Sequence, residues 1–107
     1  MSTFDKREEG FEKKFALDEE QKFKAEARRN RLLGMWVAEK LGKTGDDATA
    51  YAREVVASDF EEAGDGDVVR KVLGDLTAKG IAMTEPQLRA KMDELMATAI
   101  LQVKAGT

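Results

Sequence analysis

The 107-residue chain has no cysteine, no histidine and a single proline. Without cysteine there is no disulfide and no thiol chemistry. Without histidine there is no imidazole base, and the two absences together remove every zinc site built on Cys or His. One proline argues against a loop-rich all-β fold, which needs many turn breakers. An excess of positive charge is also missing: 18 Lys and Arg face 21 Asp and Glu, a net charge of −3. That excludes a uniformly basic nucleic-acid surface. No apolar run approaches the roughly 20 residues of a membrane-spanning helix, and no apolar signal core follows Met1. The chain reads as a soluble cytoplasmic protein with no membrane insertion and no catalytic constellation, hence not an enzyme. Its composition favours binding.

What is present is unevenly spread. Residues 1–31 hold eight acidic and nine basic side chains, while residues 32–107 hold thirteen and nine. The first third offers few core formers: Phe4, Phe11, Phe15, Leu17 and Phe23. Nearly all aliphatic residues follow. The chain therefore divides into a flexible, highly charged N-terminal arm, 1–17, and a compact body, 18–107.

The body is punctuated for helices. Thr84-Glu85-Pro86-Gln87 has the form of a capping box, with Pro86 in the first turn and Met83 and Leu88 at staple spacing. Leu88, Met92, Leu95, Met96, Ala99 and Val103 then line one helical face. Val68, Val69, Val72, Leu73 and Leu76 repeat with the same period. Asp65 or Asp67 caps that helix, and Gly80 ends it with Ile81 folding back on Leu76. Ala48, Tyr51, Ala52, Val55, Val56 and Phe60 form a third stripe, opened by Thr44 and Asp47 as a capping box and closed by Gly64. Phe23, Ala27, Leu32, Leu33, Trp36, Val37 and Leu41 form the first. Helices are predicted over 18–41, 46–63, 66–79 and 85–104. Such stripes can be buried only against each other, so the fold is all-α, a small four-helix bundle. Trp36, Val55, Phe60, Val69, Leu73, Leu95 and Met96 are its predicted core, with Trp36 and Phe60 as central contacts.

Two short motifs imitate ligand sites. Gly42-Lys43-Thr44 copies the end of a phosphate-binding P-loop, but Val37 stands where the earlier glycine belongs and the preceding sequence is helical. A helix stop followed by a helix cap accounts for it. Amides at the start of the second helix would still suit an anion beside Lys43. Asp65-Gly66-Asp67 opens like a calcium loop, but Val69, Arg70 and Leu76 fail its remaining positions. Lys22, Lys24, Arg28, Arg29 and Arg31 form a basic run interleaved with Glu19, Glu20 and Glu26, the pattern of a solvated, salt-bridged face more than of a nucleic-acid site. Lys43, Thr44, Arg28 and Arg29 are the candidate contacts of the alternative function, a small nucleotide- or phosphate-binding module. Weak ATP or ADP binding goes with it; otherwise no cofactor is expected, and no metal.

The arm carries Phe4, Phe11 and Phe15 at i, i+7 and i+11, one helical face, among charged neighbours. It is either an overhanging or frayed terminus or a helix-in-groove peptide that orders on meeting its partner. An isolated helix of that length is marginal in water, so residues 1 to about 16 are expected to be largely disordered in the free protein.

Phe23-Lys24-Ala25-Glu26-Ala27-Arg28-Arg29-Asn30-Arg31-Leu32-Leu33-Gly34 resembles the signature of the alphaproteobacterial zeta subunits, inhibitors of the F-type ATPase. Phe4-Asp5-Lys6-Arg7-Glu8, Leu41-Gly42-Lys43-Thr44-Gly45-Asp46-Asp47-Ala48, Ser58-Asp59-Phe60 and Arg89-Ala90-Lys91-Met92 are similar to further family stretches, in order along nearly the whole chain. Lys79–Gln87 matches no fixed family pattern. The resemblance implies a four-helix body and an inhibitory N-terminal segment that inserts as a helix into a catalytic α/β interface of the F1 sector, touches the central shaft and blocks ATP hydrolysis and rotation. On this chain the segment would be Phe4–Leu17, with Phe4, Phe11 and Phe15 as anchors and Asp5, Arg7, Glu8, Lys13 and Lys14 as polar contacts. The partner would be the F1 sector of ATP synthase at the cytoplasmic face of the inner membrane, and the free protein a monomer.

Overall fold

A computed structural model describes residues 17–59 and 64–106. Among these residues there are four helices and no strand: α1 (Glu19–Lys40), α2 (Gly45–Ser58), α3 (Gly66–Ala78) and α4 (Glu85–Lys104). The all-α, four-helix expectation holds, including at the β-branched stretch Val68–Val72. The expected arm over residues 1–16 and the expected burial of Phe60 lie outside the described residues.

Two helices start on reciprocal caps. Asp18 Oδ1 accepts from the Gln21 amide at 2.7 Å, and Gln21 Oε1 accepts from the Asp18 amide at 3.3 Å. Thr84 and Gln87 make the same pair at 3.2 and 3.0 Å, as their spacing predicts. The other two starts differ from expectation. Thr44 occupies the N-cap of α2, but its hydroxyl makes no capping bond. The Asp47 amide bonds the Thr44 carbonyl instead, at 3.2 Å. Asp65 occupies the N-cap of α3 without capping it. Its carboxylate is drawn to Arg89 at 3.0 Å, a stronger charged partner than an amide. Asp67 accepts from the Val68 amide at 3.0 Å in its place. Helix α3 ends as predicted: Gly80, at φ +81°, allows its own amide to bond Thr77 and the Ile81 amide to bond Leu76, both at 2.9 Å.

Helix α1 is central. Helices α2 and α4 pack on two of its sides and scarcely touch each other, and α3 bridges them. Leu33, Val37, Val55, Val68, Val72, Leu76, Leu88 and Met92 form the innermost layer. Val55 and Val69 are buried where predicted, whereas Trp36, Leu73, Leu95 and Met96 are only half-buried. Trp36 is displaced because the α1 interfaces are built from small residues. Ala25, Ala38 and Ala99 are fully buried, and a Cβ on Gly34 would lie 2.5 Å from the Ala52 Cα. No indole fits between surfaces that close. Trp36 sits at the rim instead, with the ammonium groups of Lys40 and Lys91 at 4.6 and 5.1 Å from its ring. Leu73 and Leu95 pack on the core from its margin, as Trp36 does.

Candidate functional site

The candidates Phe4, Asp5, Arg7, Glu8, Phe11, Lys13, Lys14 and Phe15 lie outside the described residues. The other four do not converge. Gly42 adopts φ +78° beyond the C-terminus of α1. Its amide bonds Glu39 at 3.1 Å, and the Lys43 amide bonds Ala38 at 2.9 Å. Both amides are consumed in stopping α1, so Gly42-Lys43-Thr44 is a helix stop and a helix start, not a phosphate cradle. Arg28 and Arg29 lie about three turns back along α1 and have other work. Arg28 Nη1 donates to Gln102 Oε1 at 3.2 Å, joining α1 to α4. Arg29 is buried; its Nε donates to Asn30 Oδ1 at 3.0 Å and its Nη1 lies 4.0 Å from Asp65. Asp65 also receives Arg89, which holds Glu85 at 3.0 Å. This network fastens the start of α3 to α1 and α4. Lys24 pairs with Glu20 at 3.1 Å on the exposed face, as a salt-bridged helix surface does.

Lys43 instead lines a cleft of about 360 Å³ with Tyr51, Glu54, Lys71, Asp75 and Lys79. Its floor is one hydrogen-bonded unit. Tyr51 Oη donates to Asp75 Oδ2 at 2.8 Å, and Lys71 Nζ donates to the same oxygen at 3.2 Å while lying 5.2 Å from the centre of the Tyr51 ring. Burial, then the bond to Asp75 and the charges of Asp75 and Glu54, push the Tyr51 pKa well above its usual value. The phenol therefore stays protonated and serves as a donor. Three lysines around a polar floor suit charge recognition. Tyr51, Asp75 and Lys79 escaped the sequence reading because α2 and α3 bring them to Lys43 only on folding. The one local signal was the i, i+4 spacing of Lys71 and Asp75.

Among the described residues the buried apolar side chains run from Ala25 to Ala99. No helix among those residues is long and apolar enough to cross a membrane. A family model described as ATPase inhibitor subunit zeta matches residues 1–102. A solved solution NMR structure is 60% identical to the chain and superposes with a TM-score of 0.69, covering 79% of this chain and 96% of that one. No curated protein matches.

Proposed function

The chain belongs to the ATPase inhibitor subunit zeta family, and from that premise we propose that it inhibits the F1 sector of ATP synthase through its N-terminal segment. Phe4–Leu17 enters a catalytic α/β interface as a helix, reaches the central shaft and blocks ATP hydrolysis and rotation. Phe4, Phe11 and Phe15 fill the groove, and Asp5, Arg7, Glu8, Lys13 and Lys14 meet its polar walls. The free protein is a monomer, and when bound to ATP synthase it lies at the cytoplasmic face of the inner membrane.

The observation that carries this reading is the division of labour at Asp18. The capping box starts α1 there, after the segment, and the family match over residues 1–102 takes in both. Phe4, Phe11 and Phe15 of that segment share one helical face by their spacing in the sequence. An apolar face gains most when the partner supplies a preformed groove, and this compensates an ordering cost of roughly 1–2 kcal/mol per residue. The test compares ATP hydrolysis by isolated F1 in the presence of the full chain and of a chain starting at Asp18. The full chain inhibits and the shortened one does not. Equal inhibition by both would move the inhibitory surface to the body.

A second reading rests on the lysine-rimmed cleft. Lys43, Lys71 and Lys79 bring three ammonium groups toward a nucleotide or phosphate, set against the carboxylates of Glu54 and Asp75. Calorimetric titration with ATP and ADP checks it. Heat that is lost in Lys43→Ala supports the cleft, and no heat at millimolar nucleotide removes it.

A further inference from the structure

Asn30 is fully buried in α1, in the middle of a helix where a polar amide is costly without partners. One end of that amide is satisfied and thereby oriented. Arg29 Nε donates to Oδ1 at 3.0 Å, so Oδ1 is the acceptor end and Nδ2 must face the other way. Among the described residues Nδ2 has no hydrogen-bond partner. Asn30 lines a crevice of about 20 Å³ together with Phe23, Glu26, Ala27, Val56 and Asp59.

The donor set selects the occupant. The carboxylates of Glu26 and Asp59 repel an anion. The NH2 group of Asn30 repels a cation. A volume of this size admits one water, for which about 10–15 Å³ suffices, and excludes a phosphate or a hydrated metal. A water there would accept from Asn30 Nδ2 and donate its two hydrogens to Asp59 and Glu26, the three bonds typical of a buried water. We infer that the Asn30 crevice binds a single structural water that ties α1 to the C-terminal end of α2. Burial raises the Asp59 pKa, the Arg29 charge and the hydrogen-bonding approach of the Asn30 side chain oppose the rise, and the Asp67 and Glu26 charges add to it. Asn30 and Asp59 thus feel each other without a direct hydrogen bond of ordinary length. This water is independent of the inhibitory reading and stands if that reading fails.

The experiment is water-selective NOE and ROE spectroscopy on the 15N-labelled full chain, observing the Asn30 side-chain amide protons. The expected result is a water cross-peak that reverses sign between the two spectra, the signature of a water tumbling with the protein and not of proton exchange. Ala27→Val adds methyl groups to the crevice wall and should erase that cross-peak in a folded body. If that variant does not fold, Val56→Ile narrows the crevice from the facing helix and is read the same way. No water cross-peak in the unaltered protein, or one undiminished by the filled crevice, overturns the inference. A large shift of the Asn30 amide protons in Asp59→Ala without any water cross-peak would replace the water with a direct Asn30–Asp59 bond.

Discussion

Gly34 and Gly74 are both mid-helix glycines, and the structure predicts opposite outcomes when each becomes alanine. Replacing glycine by alanine inside a helix gains roughly 0.5–1 kcal/mol, because glycine loses more backbone freedom on folding. At Gly74 nothing lies within 4 Å of the added Cβ, so Gly74→Ala should realise that gain. At Gly34 the new Cβ would stand 2.5 Å from the Ala52 Cα and 3.0 Å from the Ala52 Cβ. Carbon atoms prefer about 3.5–4.0 Å, so the nearer contact is short by at least an ångström. Neither Ala52 atom can rotate away, since one is backbone and the other is fixed to it. Helices α1 and α2 must move apart, loosening the packing around Leu33, Val37 and Val55. Overpacking of this kind costs about 1–3 kcal/mol, and with backbone as the obstacle the upper half of that range applies. After the propensity gain is subtracted, Gly34→Ala should lose about 1–2 kcal/mol. For a body of this size that lowers the melting temperature by some 4–16 °C, while Gly74→Ala raises it by a few degrees. Thermal unfolding followed by circular dichroism reads both. A Gly34→Ala protein melting at or above the parent temperature would refute the close approach of α1 and α2.

Leu76→Ala, at a fully buried site, should cost about 2–5 kcal/mol in urea unfolding, and Leu73→Ala, half-buried at the edge of the same stripe, clearly less; equal costs would mean that α3 is rotated from its described orientation. Asp59 has a folded-state pKa raised above 3.8, chiefly by burial, so its ionised form is disfavoured in the native state. Its ionisation therefore subtracts stability as pH rises through 3.8 toward the raised value, and Asp59→Asn should be the more stable protein at neutral pH, with the difference closing as pH falls below about 4; a gap of unchanged size across a pH series would contradict this. Phe11→Ala and Phe15→Ala should each weaken inhibition of F1 more than Arg7→Ala, Lys13→Ala or Lys14→Ala, because buried aromatic anchors outweigh exposed ion pairs; inhibition constants ranked the other way would assign the segment's grip to charge.

The sequence alone determined features that close within about six residues. The Thr84–Gln87 capping box, the stop at Gly42 and the turn-back of Ile81 over Gly80 all formed as read, because donor, acceptor and the φ-permissive glycine are neighbours in the chain. Four apolar stripes of helical period likewise settled the fold class. The i, i+7, i+11 spacing of Phe4, Phe11 and Phe15 marked a segment with something to bury, and the resemblance supplied the proposed receiver. Tertiary structure decided which helix meets which, and most misreadings trace to that; the unformed Thr44–Asp47 capping box is a local exception. Asp65 looks like an N-cap until α4 brings Arg89 within 3.0 Å. Trp36 looks like the centre of a core until the small residues of α1 draw its neighbours too close for an indole. Tyr51 and Lys43 become walls of one cleft only when α3 folds over α2. Asn30, polar in a charged run, gives no sign in sequence that it will be sealed from solvent. A side chain's neighbours along the helix follow from a fixed rise and turn. Its neighbours across an interface depend on how closely two backbones approach, and at Gly34 the absence of a single Cβ, against Ala52 on a different helix, permits that approach.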